Sequence, residues 1–185
     1  MTTRSHSVPL RKVAIVGAES TGKTTLARQL AAHYQTSWNP EFVREFAMLK
    51  QQINASDLTA ADLDTIFWGQ WATEEQAYRR ASPPFVFLDT NLLMSLVYAD
   101  YYQNTQKAWW ERVFAGRSYL YLLAEADFDW QPDPLRESPR VQSRLQQRIR
   151  SELQRRSIPF CSLRGEVQER VAQAIEWLEG HGELC

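Results

Sequence analysis

One octapeptide constrains this chain more than anything else in it: Gly17-Ala-Glu-Ser-Thr-Gly22-Lys23-Thr24 satisfies the pattern Gly-x-x-x-x-Gly-Lys-[Ser/Thr] at every fixed position. It follows the apolar run Val13–Val16 and opens a segment, Lys23 to Tyr34, that is patterned as a helix. The octapeptide is therefore expected to join a buried strand to a helix. A loop of this kind wraps a phosphate with its own N–H groups while the positive end of the helix faces the same anion. Gly17 and Gly22 permit the backbone path, Lys23 should reach the β- and γ-phosphates, and the Thr24 hydroxyl should ligate Mg²⁺. Glu19, Ser20, Thr21 and Thr25 complete the expected nucleotide-binding set. The sequence has no Asn-Lys-x-Asp run to select guanine, which favours ATP over GTP.

The rest of the chain has to supply a sheet for that loop. Apolar runs recur at Phe85–Leu88, Tyr119–Leu123 and Pro159–Leu163, with a weaker candidate strand around Thr36–Trp38. Between them lie helical patterns over Phe42–Lys50, Leu58–Arg80, Leu92–Tyr102, Val141–Arg156 and Glu166–Leu178. Strands and helices in alternation predict an α/β fold, a parallel sheet of about five strands covered by helices on both faces. The 185 residues suffice for one such domain, expected over residues 11–185 after a polar, loosely ordered lead-in of ten residues.

Charge and cysteine content narrow the function classes. With 21 Lys+Arg against 22 Asp+Glu the chain lacks the basic field of a general nucleic-acid binder. Cys161 and Cys185 form no disulfide framework, and no segment approaches the ~18 apolar residues of a membrane span. A cytoplasmic protein acting on small molecules, without nucleic-acid or membrane partners, is expected.

In a parallel α/β sheet, ligands sit beyond the carboxyl ends of the strands. After the weak second strand, Trp38-Asn-Pro-Glu41-Phe-Val-Arg44-Glu45-Phe46 gathers carboxylates, a guanidinium and aromatics. Glu41 and Arg44 are candidates for binding a phosphoryl acceptor; Glu45 serves equally well as an acid favouring a helix start. The run Phe85–Leu88 ends in Asp89, placed either to position Mg²⁺ or accept a proton, or to cap the next helix. In the first case Thr90 and Asn91 become the caps. After the fourth strand, residues 127–140 carry three prolines, Trp130 and Arg136, and lead into Arg140, Arg144 and Arg148 at four-residue intervals. Arg136 and Arg140 are read as cations of a lid closing over the triphosphate, Arg144 and Arg148 as a solvated face.

Together these residues resemble the ribosylnicotinamide kinase domain of NadR-type proteins, within the P-loop nucleoside and nucleotide kinases. The resemblance rests on Gly17–Thr24 with Glu19, Pro40-Glu41-Phe-Val-Arg44-Glu-Phe46, Gly69-Gln70, Asp89-Thr90, Asp129-Trp130-x-x-Asp133-x-Leu-Arg136, Gly165 and Arg170. It runs from about Lys12 to Gly180. It implies transfer of the γ-phosphoryl group of ATP, with Mg²⁺, to the 5′-hydroxyl of nicotinamide riboside, giving nicotinamide mononucleotide. It also implies that Glu41, Arg44 and Asp89 line the acceptor site and that Arg164-Gly165 lies near adenine. Family members place an aromatic residue directly before the glutamate to stack on nicotinamide. Pro40 stands there in this chain, so Trp38, Trp68 and Trp71 are the candidates to replace it, and Trp130 joins the acceptor set. The His-x-Gly-His motif of the adenylyltransferase found in longer NadR-type proteins is absent, and another protein is expected to adenylylate the product. Two other readings stay open: a kinase for a different nucleoside or vitamin, and a regulatory module that hydrolyses ATP slowly.

Overall fold

Strand β1 (Arg11–Val16) lies at the centre of the sheet because Val13 to Val16 are apolar in sequence and fully buried on both faces. In the computed structural model, residues 9–54, 58–127 and 139–182 are described. Four further strands pair with β1 or with its neighbours: β2 (Trp38–Asn39), β3 (Phe85–Asp89), β4 (Leu120–Ala124) and β5 (Phe160–Leu163). Every pairing is parallel, in the order β2-β3-β1-β4-β5. The expected fold class is the one observed.

The period-two alternation of β1 divides the core. Val13 and Ile15 pack with Leu26, Ala27 and Leu30 of α1 (Lys23–His33) and with Ala174 and Leu178 of a C-terminal helix (Val167–Gly182). Ala14 and Val16 face the other way, onto α3 (Leu63–Arg80), α4 (Leu92–Gln103), α5 (Ala108–Ala115) and α6 (Pro139–Arg155). The C-terminal helix is thus α7, and α2 (Phe42–Asn54) packs on α3 above the edge strand β2.

Several boundaries differ from the sequence expectation for identifiable reasons. The expected helix from Leu58 begins instead as a 3-10 turn at Ala60–Asp62, set by reciprocal capping between Thr59 and Asp62, and is regular only from Leu63. Helix α5 is absent from the expectation altogether. It spans eight residues, between the left-handed Asn104 that ends α4 and Gly116. It is held by tertiary contact: Trp110 is buried, stacks on Phe67 and donates its indole N–H to Asp64 Oδ1 at 3.1 Å. Helix α7 continues past the expected Leu178 to Gly182. Trp130, Arg136 and nearly all of the expected lid fall outside the described residues, as do residues 1–8.

Candidate active site

The loop between β1 and α1 is fastened to the end of β4. Gly17 has φ 151°, and a Cβ there would sit 2.5 Å from the Ala124 carbonyl oxygen, so only glycine lets the loop pass over the end of β4. Gln146 of α6 splints the contact. It accepts the Ala18 N–H at 2.8 Å and donates to Ala124 O and Glu125 Oε2, both at 3.1 Å. Within the loop, Thr21 Oγ1 and Lys23 Nζ both donate to Ala18 O, at 2.9 and 2.7 Å. The Lys23 ammonium is therefore already folded back over the concavity that its loop encloses. Glu19, Ser20 and Thr25 are exposed around it, and Gln142 Nε2 donates to the Glu19 carbonyl at 2.7 Å.

Asp89 ends β3 beside this loop. Its Oδ2 accepts the Thr24 hydroxyl at 2.5 Å, while its Oδ1 is buried with no hydrogen-bond partner. Glu41, at the start of α2, is in the same position: its Oε1 is buried and has no partner. Burial drives its carboxyl above the ordinary glutamate range; Lys23 and Arg44 oppose the shift, and the negative charges of Asp89 and Glu19 reinforce it. The two carboxylates and the loop lysine thus share one electrostatic environment. An unmet acceptor in a buried position costs about 1–3 kcal/mol, which is tolerated where a ligand supplies the partner.

Thr24 and Asp89 offer hard oxygen donors, the type that Mg²⁺ takes. Among the described residues no cluster of three or more His, Cys, Asp or Glu side chains could hold a metal alone. An ion at Thr24 and Asp89 would draw its remaining ligands from phosphate and water, the usual arrangement for a magnesium nucleotide.

The caps are not those expected from sequence. Thr90 adopts φ 65° and gives its N–H to Ile15 O at 3.0 Å. Asn91 occupies the cap position of α4 but its side chain donates instead to Tyr121 Oη at 2.8 Å. The first N–H of the helix, Leu92, is capped by Glu74 Oε1 from α3 at 2.9 Å. Gln70, one turn earlier on α3, accepts the Phe42 N–H at 3.3 Å and donates to Thr90 O at 3.4 Å. Gly69 beside it allows α2 to close on α3, since a Cβ there would lie 2.1 Å from the Phe42 ring. Glu74 was not legible as a functional residue in sequence, because a glutamate followed by a second one, Glu75, within a helix reads as solvated surface. Nor was Tyr98 of α4. Burial first, then the negative charges of Glu41, Glu19 and Asp89, push its phenol well above the usual tyrosine range.

The tryptophans expected to take part in the acceptor site each contact neighbouring side chains. Trp38 faces α1, where the Arg28 guanidinium lies 5.0 Å from its ring centroid. Trp68 stacks on Trp109 at 5.3 Å and meets Trp71 edge-on, and Arg117 covers Trp71 at 5.3 Å. Arg44 is exposed at the first turn of α2, and Arg140 and Arg144 are exposed on α6. Arg148, expected to be merely solvated, is paired with Asp100 of α4. Arg164 is exposed after β5; Gly165 N–H donates to Asp127 Oδ2 at 2.8 Å and its carbonyl accepts Arg170 Nε at 2.7 Å.

Comparison with known proteins places this geometry in context. A family model described as an AAA domain matches residues 12–170. Over 128 residues the chain is 27% identical to the trifunctional NAD biosynthesis/regulator protein NadR of Salmonella typhimurium, covering 69% of this chain and 31% of that protein. The chain therefore spans about a third of that relative's length. A solved structure of NadR protein in complex with NR superposes with a TM-score of 0.78 at 22% identity, over 93% of this chain and 51% of the other. The thymidylate kinase of Ehrlichia chaffeensis gives 0.64 at 11% identity, over 91% and 98%. These likenesses establish the fold as that of P-loop nucleoside and nucleotide kinases.

Proposed function

Because the chain belongs to the AAA-domain family whose model covers residues 12–170, we propose that it is an ATP-dependent phosphotransferase acting on a nucleoside hydroxyl, with nicotinamide riboside as the acceptor. The observation that carries this reading is the pair of buried, unpartnered carboxylate oxygens, Asp89 Oδ1 and Glu41 Oε1, beside the phosphate loop. A slow nucleotide switch has no use for a second buried carboxylate there, whereas a kinase must hold and deprotonate an acceptor hydroxyl. The likeness to NadR, one structure of which is a complex with NR, favours nicotinamide riboside among nucleosides.

In this mechanism the loop amides and Lys23 hold the β- and γ-phosphates. Mg²⁺ held at Thr24 and Asp89 would supply charge neutralisation on the phosphates. The acceptor 5′-oxygen forms the new bond to the γ-phosphorus as the bond to the bridging oxygen breaks, and ADP leaves. The hydroxyl proton passes to the Glu41 or Asp89 carboxylate. Transfer proceeds through a loose transition state, so positioning and fixed charge contribute more than basicity. Arg44 beside Glu41, and Arg136 and Arg140 further along, are the cations proposed to meet acceptor and triphosphate. Glu19, Ser20, Thr21 and Thr25 are proposed to complete the nucleotide contacts, with Arg164 and Gly165 toward the adenine.

A second reading, a kinase for another nucleoside, is favoured by one observation: Pro40 stands directly before Glu41, where the family this chain resembles carries an aromatic residue to stack on nicotinamide. One assay separates these readings. ADP release from ATP and Mg²⁺ is measured alone and with nicotinamide riboside, thymidine, deoxyadenosine and other nucleosides. Strong stimulation by nicotinamide riboside supports the first reading and stimulation by another nucleoside the second. A slow rate indifferent to every acceptor overturns both.

A further inference from the structure

Two helices begin immediately after the two carboxylates of the site, α2 after Glu41 and α4 after Asp89-Thr90-Asn91. A helix's first N–H groups have no partner within the helix, so whatever caps them fixes where the helix starts. Here both starts are capped from a third helix. Gln70 Oε1 of α3 accepts the Phe42 N–H at 3.3 Å, and Glu74 Oε1 accepts the Leu92 N–H at 2.9 Å. The two α3 side chains are themselves joined, Gln70 Nε2 donating to Glu74 Oε1 at 3.2 Å and to Thr90 O at 3.4 Å. Tyr119 Oη, at the foot of β4, donates to the remaining oxygen, Glu74 Oε2, at 2.8 Å. Glu74 and Gln70 are 0% and 2% exposed, so water does not compete for these bonds.

We propose that Glu74 is a positioning residue of the acceptor site: through Gln70 and the Leu92 amide it fixes the starts of α2 and α4, and with them the carboxylates of Glu41 and Asp89. The inference rests on the reading of that site as the acceptor site of a nucleoside kinase. Glu74 touches neither substrate; its effect reaches the acceptor through the backbone that carries Glu41. A buried carboxylate accepting three hydrogen bonds grips most firmly when ionised.

The groups that face it are few. Bonds from Tyr119, Gln70 and the Leu92 amide, and the charge of Lys12 of β1, lower its pKa; Tyr121 of β4 feels its charge, and its own helix carries Glu75, which is engaged by Lys12 and Arg117. Burial outweighs these and pushes the Glu74 carboxyl up to about 7. Ionisation as pH rises through neutrality strengthens the individual bonds that Glu74 accepts, while the burial of its charge makes the fold as a whole less stable.

The test uses the full chain with Glu74→Ala and Glu74→Gln, nicotinamide riboside as acceptor, and hydrogen exchange resolved over residues 41–46 and 90–94. Glu74→Ala is expected to raise the acceptor KM roughly tenfold while the ATP KM stays within about twofold. Exchange should quicken in both segments. Glu74→Gln keeps an acceptor for Leu92 and Gln70, and is expected to recover most of the acceptor affinity while losing the step in acceptor KM that the parent shows near neutral pH. If Glu74→Ala fails to fold, Gln70→Met removes the bonds to Phe42 and to the Thr90 carbonyl but leaves Glu74 on the Leu92 amide, and should raise the acceptor KM with Leu92 protection intact. Equal shifts in both KM values, or quickened exchange confined to residues 90–94, overturn the proposal. A parent chain that turns over no nucleoside defeats the kinase reading instead, and the exchange comparison still decides whether Glu74 holds both helices.

Discussion

The Thr24 hydroxyl donates to Asp89 Oδ2 across 2.5 Å, tying the first turn of α1 to the carboxyl end of β3. The two proposed magnesium ligands thus hold each other in place, one oxygen of Asp89 being used and the other unpartnered. Replacing Asp89 by Asn keeps the shape and removes the charge. The expected outcome is a fall in kcat of roughly 10²-fold or more, the scale for one preorganised charge, with a smaller change in acceptor KM. Steady-state kinetics over a magnesium titration check it: the variant should need more Mg²⁺ for half-maximal rate, and an unchanged requirement would remove Asp89 from the metal site.

Lys23 is 7% exposed and bonded to Ala18 O at 2.7 Å, an interaction that a bound triphosphate would replace. Lys23→Ala should abolish transfer while leaving the circular dichroism spectrum and melting cooperativity intact, since the bond it loses lies within the loop. A loss of about 10²-fold or more in kcat is expected. A folded variant with near-normal turnover sinks the phosphate-loop assignment.

Glu41 carries a pH signature. Burial raises its carboxyl above the unfolded value, so in the pH range between the two values the folded state binds more protons and stability declines as pH rises. The contribution is fully present below the unfolded value and is lost as pH rises through the folded one. Glu41→Gln should therefore equal or exceed the parent in melting temperature at pH 8, while its acceptor KM rises because the 5′-hydroxyl loses its partner. Thermal melts at acid and alkaline pH, paired with kinetics, test both halves. A variant less stable than the parent at alkaline pH contradicts the buried-charge account.

The arginines on α6 differ in setting. Arg148 pairs with Asp100 while about half exposed, an interaction worth under ~1 kcal/mol, whereas Arg140 is exposed at the start of the helix. If Arg140 meets the transferring phosphoryl group, Arg140→Ala should lower kcat by tenfold or more while Arg148→Ala is nearly silent. Equal small effects would leave both as surface charge.

Much of the fold was legible because the sequence states it locally. Val13–Val16, Phe85–Leu88 and Tyr119–Leu123 are apolar on both faces, as strands covered twice must be, and the loop from Gly17 to Thr24 announces its own turn. Helix α5 was not legible, because its eight residues are fixed by Trp110 docking on Phe67 and Asp64, forty residues away. The same holds for the site. Glu41 and Asp89 follow strands and could be picked out by position, but nothing local distinguishes Glu74 from Glu75, one holding two helix starts and the other pairing with Lys12 and Arg117 at the opposite end of the sheet. The setting of Trp38 is illegible for a related reason: proximity in sequence to Glu41 does not fix which face of β2 it occupies, and it packs with the core that α1 covers.

Arg170 of α7 is 2% exposed and joins three segments that meet at the phosphate loop. Its guanidinium donates to Gly165 O at 2.7 Å, to Thr21 O at 3.0 Å and to Glu125 O at 3.1 Å, and pairs with Asp127. Burial lowers its pKa, and Asp127, Glu125 and Glu166 oppose that, yet arginine remains charged at any pH the fold survives. The planar fork is what lets one side chain serve carbonyls on three segments, so a lysine, with one ammonium point, cannot replace it. Arg170→Lys should cost about 2–4 kcal/mol by leaving buried carbonyls unmet, which for a chain of this size lowers the melting temperature by roughly 5–15 °C. Thr21 belongs to the loop and Gly165 to the proposed adenine side, so the ATP KM should rise more than the acceptor KM, and saturating ATP should restore part of the lost melting temperature by linkage. Calorimetry with and without the nucleotide, read beside both KM values, makes the test. A destabilised variant with an unaltered ATP KM would show that Arg170 only knits α7 to the sheet and leaves the phosphate loop to be shaped by Gln146 and Gly17 alone.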